Sequence, residues 1–107
     1  MQAPTRLKRP QRRRSAPSFV PGFVITRIQT GNYDAWRPMF DQDRPRAREK
    51  ATTQKVLRSV DDPNEVFIFL EFESTDDAAE ARDRLLQSGV LDRFEDMHGP
   101  NLLEEAP

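Results

Sequence analysis

The chain has 107 residues, enough for one compact domain, and its 17 basic and 18 acidic residues give a formal net charge of -1. It contains no cysteine, which excludes disulfides, thiolate nucleophiles and cysteine-based metal sites. Its apolar runs are far shorter than the ~20 residues that a membrane-spanning helix needs, so we expect a cytoplasmic protein that does not associate with a membrane.

The first 20 residues differ in composition from the rest of the chain. They carry six of the basic side chains and no acidic one, whereas residues 21–107 carry 11 basic and 18 acidic side chains. Three prolines and the lack of apolar periodicity predict a disordered basic tail over residues 1–20 and one domain over residues 21–107. We expect a solvated extension. Contact of the tail with nucleic acid or an acidic surface is the less favoured alternative, and a mitochondrial presequence stays open. No apolar stretch follows the arginines, which argues against a secretory signal.

The first half of the domain predicts a strand, a helix and a loop. Residues 23–28 are β-branched or aromatic, as is typical of a strand. Asn32 is a suitable N-cap for a helix over residues 33–40, whose apolar side chains recur at helical spacing. Pro38 lies inside this helix and removes one backbone hydrogen bond, so we expect the helix to be short or kinked. Residues 42–51 are polar and predict a loop.

The second half predicts two further strands before a second helix. Residues 52–60 form the first of these strands, and the Asp-Asp-Pro-Asn-Glu sequence over 61–65 has the residues of a tight turn. Residues 66–72 form the most apolar strand. Ser74 begins a helix with capping-box spacing, and Gly89 ends it.

A short turn with Leu91, Phe94 and Met97 and a weak final strand over residues 101–105 complete the predicted order β-α-β-β-α-β. Such a chain normally folds as a ferredoxin-like α+β domain, with an antiparallel sheet of strand order 4-1-3-2 and both helices on one face. The two most apolar strands would then be central, and the second strand, which carries Lys55, would lie at an edge.

The central strands are apolar on both of their faces. The even-numbered residues of 66–72 are apolar, and Phe67 and Phe69 place large side chains on the opposite face. The first strand likewise has Phe23 and Ile25 on its second face. Two helices can cover only one side of the sheet, and monomers rarely expose a large apolar patch. We therefore predict a homodimer that forms through the uncovered sheet face, in preference to cover by the tail or the C-terminal segment.

Three segments resemble the dimeric α/β-barrel superfamily, and within it the small cyclase-like and antibiotic-biosynthesis-monooxygenase-like members. They are residues 33–41 (YDAWRPMFD), 58–66 (RSVDDPNEV) and 71–74 (EFES). The resemblance covers about residues 22–105 and implies a ferredoxin-like subunit whose sheet packs on its twin to form a barrel. It also implies a pocket between the sheet and the helices.

Members of this superfamily include cofactor-free oxygenases of polyketide-like phenols, haem-degrading oxygenases and aromatic-degradation isomerases. The haem-degrading members are expected to have a tryptophan on a strand and a histidine on the second helix. In this sequence Trp36 lies on the first predicted helix and His98 follows the last one. We therefore do not expect haem degradation, and no cofactor is predicted.

His98 is the only histidine and the only side chain whose ordinary pKa lies near neutrality, which makes it the candidate general base. The opposing interpretation is an exposed or capping residue in the turn before the last strand. No second histidine or carboxylate cluster accompanies it, so no metal site is predicted.

An aromatic stripe of Tyr33, Trp36 and Phe40 is either the packing face of the first helix or the wall of a pocket for a planar ligand. Glu71 ends the apolar third strand. It is a candidate pocket carboxylate for proton transfer, or a partner of Arg27 or Arg58 across the sheet.

Two functions remain open from the sequence. The first is a cofactor-independent oxygenase, cyclase or isomerase that acts on a small hydrophobic or aromatic molecule. The second is a non-catalytic dimer that binds a ligand or only assembles, with the basic tail as a tether. The acidic domain contains no phosphate-binding loop or nucleic-acid motif, so nucleic acid is not expected as its ligand.

Overall fold

The computed structural model of the protein describes residues 20–107. The elements in chain order are β1 (Gly22–Gln29), α1 (Tyr33–Asp41), β2 (Thr53–Arg58), β3 (Glu65–Phe72), α2 (Thr75–Ser88) and β4 (Met97–Glu104). The strands form one antiparallel sheet in the order β2-β3-β1-β4. This is the ferredoxin-like α+β fold and the strand order predicted from the sequence. The described residues contain no helix with the length and apolarity to cross a bilayer. The tail predicted over residues 1–20 lies almost entirely outside the described part of the chain, so its disorder stays a prediction.

Helix α1 begins at the predicted residue and ends one residue later than predicted, at Asp41. The side chain of Asn32 accepts a hydrogen bond from the backbone N–H of Ala35 at 3.2 Å, which satisfies one donor of the first turn. Pro38 lies in the second half of the helix and lacks an N–H to donate. The helix is short, as expected, and stops at Asp41 after nine residues.

Helix α2 packs tightly against β1 at its first turn. Ser74 Oγ accepts from the backbone N–H of Asp77 at 3.1 Å, and Gly89 ends the helix in the left-handed conformation with φ 76°. A Cβ at Gly22 would lie 2.7 Å from Thr75 Cα and 2.8 Å from Ala78 Cβ. Only glycine therefore allows this approach of helix and strand without a shift of the backbone.

The last strand differs from the prediction, which placed its start at residue 101. It begins at Met97, because Met97 and His98 pair with Ile28 and Arg27 of β1. The sequence Gly99-Pro100 suggests a turn, but β4 is an edge strand, where a proline without a donor is tolerated. The register between β1 and β4 shifts at this point. Met97 thus belongs to the strand, whereas Leu91 and Phe94 form the predicted turn.

The sheet has two different faces. On the face that the helices cover, called the helix face below, the even-numbered residues of β1 and β3 are buried and pack against Trp36 of α1 and Ala78 and Ala81 of α2. On the opposite face, called the open face, the odd-numbered residues of the same strands are partly or fully exposed. The apolar side chains on the open face are Phe23, Ile25, Leu57, Phe67, Phe69 and Leu103. The prediction that the two central strands carry large apolar side chains on both faces is confirmed.

Candidate functional site

A cavity of about 270 Å³ lies between the helix face of the sheet, helix α1 and two loops. Strands β1 and β3 contribute Thr26, Ile28, Ile68 and Leu70 to its lining. The loop after α1 and the turn after α2 close its sides. Its volume is near the lower end of the ~300–1,000 Å³ that is usual for small-molecule sites. The cavity has the size for a small organic molecule of one or two rings.

Aromatic side chains of α1 form one wall of the cavity. The rings of Trp36 and Phe40 stack with centroids 4.8 Å apart and an interplanar angle of 28°. Both residues line the cavity, and Trp36 is only 8% exposed. Such a surface offers a flat face to a planar ligand, and the same stack belongs to the hydrophobic core. Trp36 therefore belongs to the packing face of α1 and also lines the cavity, and its contact with a ligand stays a prediction.

The floor of the cavity carries one buried hydroxyl. Thr26 lies on the helix face of β1 between Val24 and Ile28, is 2% exposed and lines the cavity. Among residues 20–107 it is the buried polar residue of the core. Its hydroxyl is both a donor and an acceptor, so it can orient a polar group of a bound molecule.

The loop over residues 42–48 forms the rim of the cavity and is organised by Asp43. The Asp43 carboxylate accepts the backbone N–H groups of Ala47 at 3.1 Å and Arg48 at 3.2 Å. Asp43 itself has φ 45°, and Arg46 has φ 56°, both in the left-handed region. The side-chain hydrogen bonds offset the cost of this backbone conformation, which aspartate tolerates better than most residues.

Arg48 fixes the loop to helix α1. Its guanidinium lies 3.8 Å from the centroid of the Phe40 ring and donates to the Phe40 carbonyl oxygen. Its Nε lies 3.5 Å from Asp43 Oδ1, and Nη1 donates to Gln54 at 3.1 Å. The Arg48 charge is therefore balanced by Asp43 and fully engaged with protein groups.

A second, more open groove of about 410 Å³ adjoins the cavity near the loop before α1. The two share Trp36, Met39, Arg93 and Phe94 as lining residues. Arg93 Nη1 lies 3.6 Å from the sulfur of Met39, and both side chains line the cavity as well as the groove.

Tyr33 was predicted to line the pocket with Trp36 and Phe40. Its ring lies 5.8 Å from Trp36, but Tyr33 does not line the cavity. Its hydroxyl accepts from Arg37 Nη1 at 2.8 Å, and the guanidinium of Arg58 lies 4.4 Å from its ring centroid. Tyr33 is a partly buried residue that packs against the core next to Trp36.

Glu71 and His98 lie on the open face, away from the cavity. Glu71 pairs with Phe23 and Thr53 in the register of the sheet, and His98 pairs with Arg27. Neither lines the cavity, so the structure does not bring either predicted proton-transfer residue to the aromatic wall. The predicted ion pair of Glu71 with Arg27 or Arg58 is wrong. Arg27 binds Glu65 and Asp96 instead, and within residues 20–107 Arg58 forms no ion pair.

The charges around Arg27 form a small network near His98. Arg27 Nε donates to Glu65 and Nη1 to Asp96, each at 2.6 Å. These hydrogen bonds, first to Asp96 and then to Glu65, raise the pKa of Arg27 above its ordinary value. The bond from Arg27 lowers the pKa of the Asp96 carboxyl. The network links β1, β3 and the segment before β4.

Sequence reasoning missed the charged rim of the cavity. Asp43, Arg44 and Arg48 lie in a segment that was interpreted only as a loop, and Arg93 lies in the turn after α2. Thr26 could have been found, because it is a polar residue on the apolar side of β1. Within residues 20–107, no three His, Cys, Asp or Glu side chains come together as metal ligands.

Comparison with known proteins supports the fold. One solved structure, named "Putative antibiotic biosynthesis monooxygenase from Nitrosomonas europaea", matches with a TM-score of 0.58 and 13% sequence identity. The match covers 84% of this chain and 93% of that one. The structure of Rv0793 from Mycobacterium tuberculosis matches with a TM-score of 0.56 and 20% identity over 81% of this chain and 94% of that one. No protein-family model and no curated protein sequence matches the chain.

These similarities confirm, at the level of the fold, the resemblance to antibiotic-biosynthesis-monooxygenase-like proteins that the sequence motifs indicate. Sequence identity this low does not carry a substrate or a reaction from one protein to another. The function therefore has to be argued from the cavity of this chain.

Proposed function

We propose that the protein binds a small aromatic or otherwise hydrophobic molecule in the cavity beside Trp36. There it promotes oxygenation by dioxygen, cyclisation or isomerisation of that molecule without a resident cofactor. The observation that carries this proposal is the cavity itself. A preformed space of about 270 Å³ with an aromatic wall and one buried hydroxyl is the usual form of a small-molecule site. The fold shared with the Nitrosomonas europaea protein supports an oxygenase-like role.

A non-catalytic ligand-binding role is the second candidate, and one observation favours it. The only histidine lies on the open face and is exposed, so no side chain with an ordinary pKa near neutrality lines the cavity. Asp43 is the carboxylate in the lining, and its oxygens accept two backbone N–H groups. If the protein is an enzyme, the bound molecule itself would therefore have to be reactive, because the cavity lining offers it no histidine for proton transfer.

The cavity contains its own spectroscopic probe, because Trp36 is the only tryptophan. Organic extracts of the purified protein should contain a small molecule detectable by mass spectrometry, and adding it back should quench Trp36 fluorescence. Oxygen consumption or a change of product mass on incubation in air would support catalysis. Stable binding without turnover would leave the ligand-binding role. Absence of any fluorescence change with small aromatic compounds would contradict both.

We further propose that a second copy of the chain covers the open face. Three large apolar residues there are strongly exposed, namely Leu57 at 54%, Leu103 at 42% and Phe67 at 36%. The rings of Phe23 and Phe69 lie 5.7 Å apart on the same face. A stable pair would bury on the order of 800 Å² per partner. Residues 105–107, which follow β4, are exposed and do not cover the sheet.

Two exposed aliphatic residues allow a matched test of this interface. Leu57 lies on the open face, whereas Val60, which is 99% exposed, follows β2 in a loop. Leu57→Glu should shift the chain towards the single-copy mass in size-exclusion chromatography with light scattering, because it places a charge in the interface. Val60→Glu should not change the mass. Equal masses for wild type and both variants would contradict the proposed interface. The cytoplasmic location predicted from the sequence stays a prediction.

A further inference from the structure

The rim of the cavity carries more positive than negative charge. Three arginines, Arg44, Arg48 and Arg93, line it, together with a single carboxylate, that of Asp43. Arg48 and Asp43 balance each other at 3.5 Å. Two positive charges therefore remain beside an otherwise mainly apolar cavity.

Arg44 and Arg93 are not neutralised by any residue between 20 and 107. Arg44 Nε donates to the neutral Gln42 side chain at 3.0 Å. Arg93 contacts the sulfur of Met39 at 3.6 Å, and its guanidinium lies 5.6 Å from the Phe94 ring centroid. Neither arginine forms an ion pair within this part of the chain.

Arg44 and Arg93 differ from the other arginines without an ion pair in the described residues because they line the cavity. Residues 21–107 carry 18 acidic and only 11 basic side chains, so carboxylates are abundant as partners. Some arginines of the domain use them: Arg27 pairs with two carboxylates, and Arg84 pairs with Glu49 and Glu80. Arg58 and Arg82 form no ion pair within residues 20–107, and neither lines the cavity. Both arginines are exposed and line the cavity, so a molecule that enters it can reach their guanidinium donors.

We propose that the ligand of the cavity is an organic anion, whose apolar ring lies against Trp36 and whose acidic oxygens bind Arg44 and Arg93. The proposal rests on the function proposed above and specifies its substrate class. A guanidinium presents paired N–H donors that match the two oxygens of a carboxylate. The attraction is strengthened where one side of the pair borders an apolar cavity instead of water.

Two probes of the same shape and different charge test this proposal, namely 1-naphthoate and the neutral 1-naphthamide. Both are titrated into the full chain while Trp36 fluorescence is recorded. We expect naphthoate to bind roughly tenfold more tightly, since one charge-assisted contact contributes about that factor. Added salt should weaken naphthoate binding and leave naphthamide binding unchanged, because it screens the exposed arginines.

The double variant Arg44→Gln and Arg93→Gln should bind the two probes with equal affinity and keep the wild-type affinity for naphthamide. Arg46→Gln is the matched control, because Arg46 is exposed in the same loop and does not line the cavity. It should keep the preference for the anion. Far-UV circular dichroism establishes that each variant is folded, and the salt titration of the wild type tests the same charge effect without any substitution.

The outcomes separate the two proposals. Equal binding of both probes to the wild type, or an anion preference that survives in the double variant, would overturn the anionic substrate class and leave the cavity as a binding site. Failure of both probes to change Trp36 fluorescence would overturn the proposed function and the substrate class with it.

Discussion

Truncation of Trp36 tests whether the aromatic wall of the cavity is part of the folded core. Removing a buried tryptophan side chain costs ~3–5 kcal/mol of unfolding free energy. Trp36 is 8% exposed, and its truncation removes the stack on Phe40 and the contact with Tyr33. One side of the indole borders the cavity, where there are few contacts to lose. We therefore expect Trp36→Ala to cost ~3 kcal/mol, at the lower end of that range.

The assay is urea denaturation followed by far-UV circular dichroism, because the substitution removes the only tryptophan. With a slope of ~1 kcal/mol per molar urea for a domain of this size, the midpoint should fall by ~3 M. Protein concentration is held constant, since association would also shift the midpoint. Val60→Ala is the control and should change the free energy of unfolding by less than ~0.5 kcal/mol. A loss below ~1 kcal/mol for Trp36→Ala would refute the packed wall.

Three further changes test the fold and its charges. Gly22→Ala forces a Cβ against α2 and should lower the free energy of unfolding by ~1–3 kcal/mol, as measured by calorimetry. An unchanged melting temperature would show that β1 and α2 lie farther apart than in this structure. Ser74→Ala removes the cap on Asp77 and should cost ~1 kcal/mol in urea, whereas no loss would mean that water replaces the cap. Arg27 lowers the pKa of Asp96 below 3.8, so this pair stabilises the fold above about pH 4 and the effect is lost as the pH falls through the lowered pKa. Asp96→Asn should therefore reduce stability at neutral pH and flatten its acid dependence, and identical pH profiles for variant and wild type would contradict the pair.

The sequence predicts the architecture well because local signals and the apolar pattern agree. Asn32 and Ser74 cap the two helices that follow them, as their positions indicate. The high apolar content of β1 and β3 predicts their central position, and their large side chains at both even and odd positions predict two apolar faces. These features can be predicted because a helix cap acts on residues two or three positions away, and side chains along a strand alternate between its two faces.

The cavity rim could not be predicted because its geometry depends on side-chain contacts. Asp43 and Arg46 adopt positive φ without being glycines, and the hydrogen bonds of the Asp43 carboxylate hold that conformation. Arg93 reaches the same cavity from a turn that is 49 residues farther along the chain than Arg44. The position of His98 was missed for a different reason. The pairing of β4 with β1 places His98 on the open face of the sheet. The sequence Gly99-Pro100 is typical of a turn, so the sequence did not indicate that the strand already begins at Met97.

The mass of the protein in solution tests most directly whether a second copy of the chain covers the open face of the sheet. Sedimentation equilibrium at micromolar concentration is measured for the full chain and for a variant that lacks residues 1–19. Both should have twice their single-chain mass, which for the full chain means twice 12.4 kDa. A stable, soluble particle of 12.4 kDa would contradict the proposed dimer. If only the shortened chain associates, the open face is covered by the first 19 residues and not by a second copy.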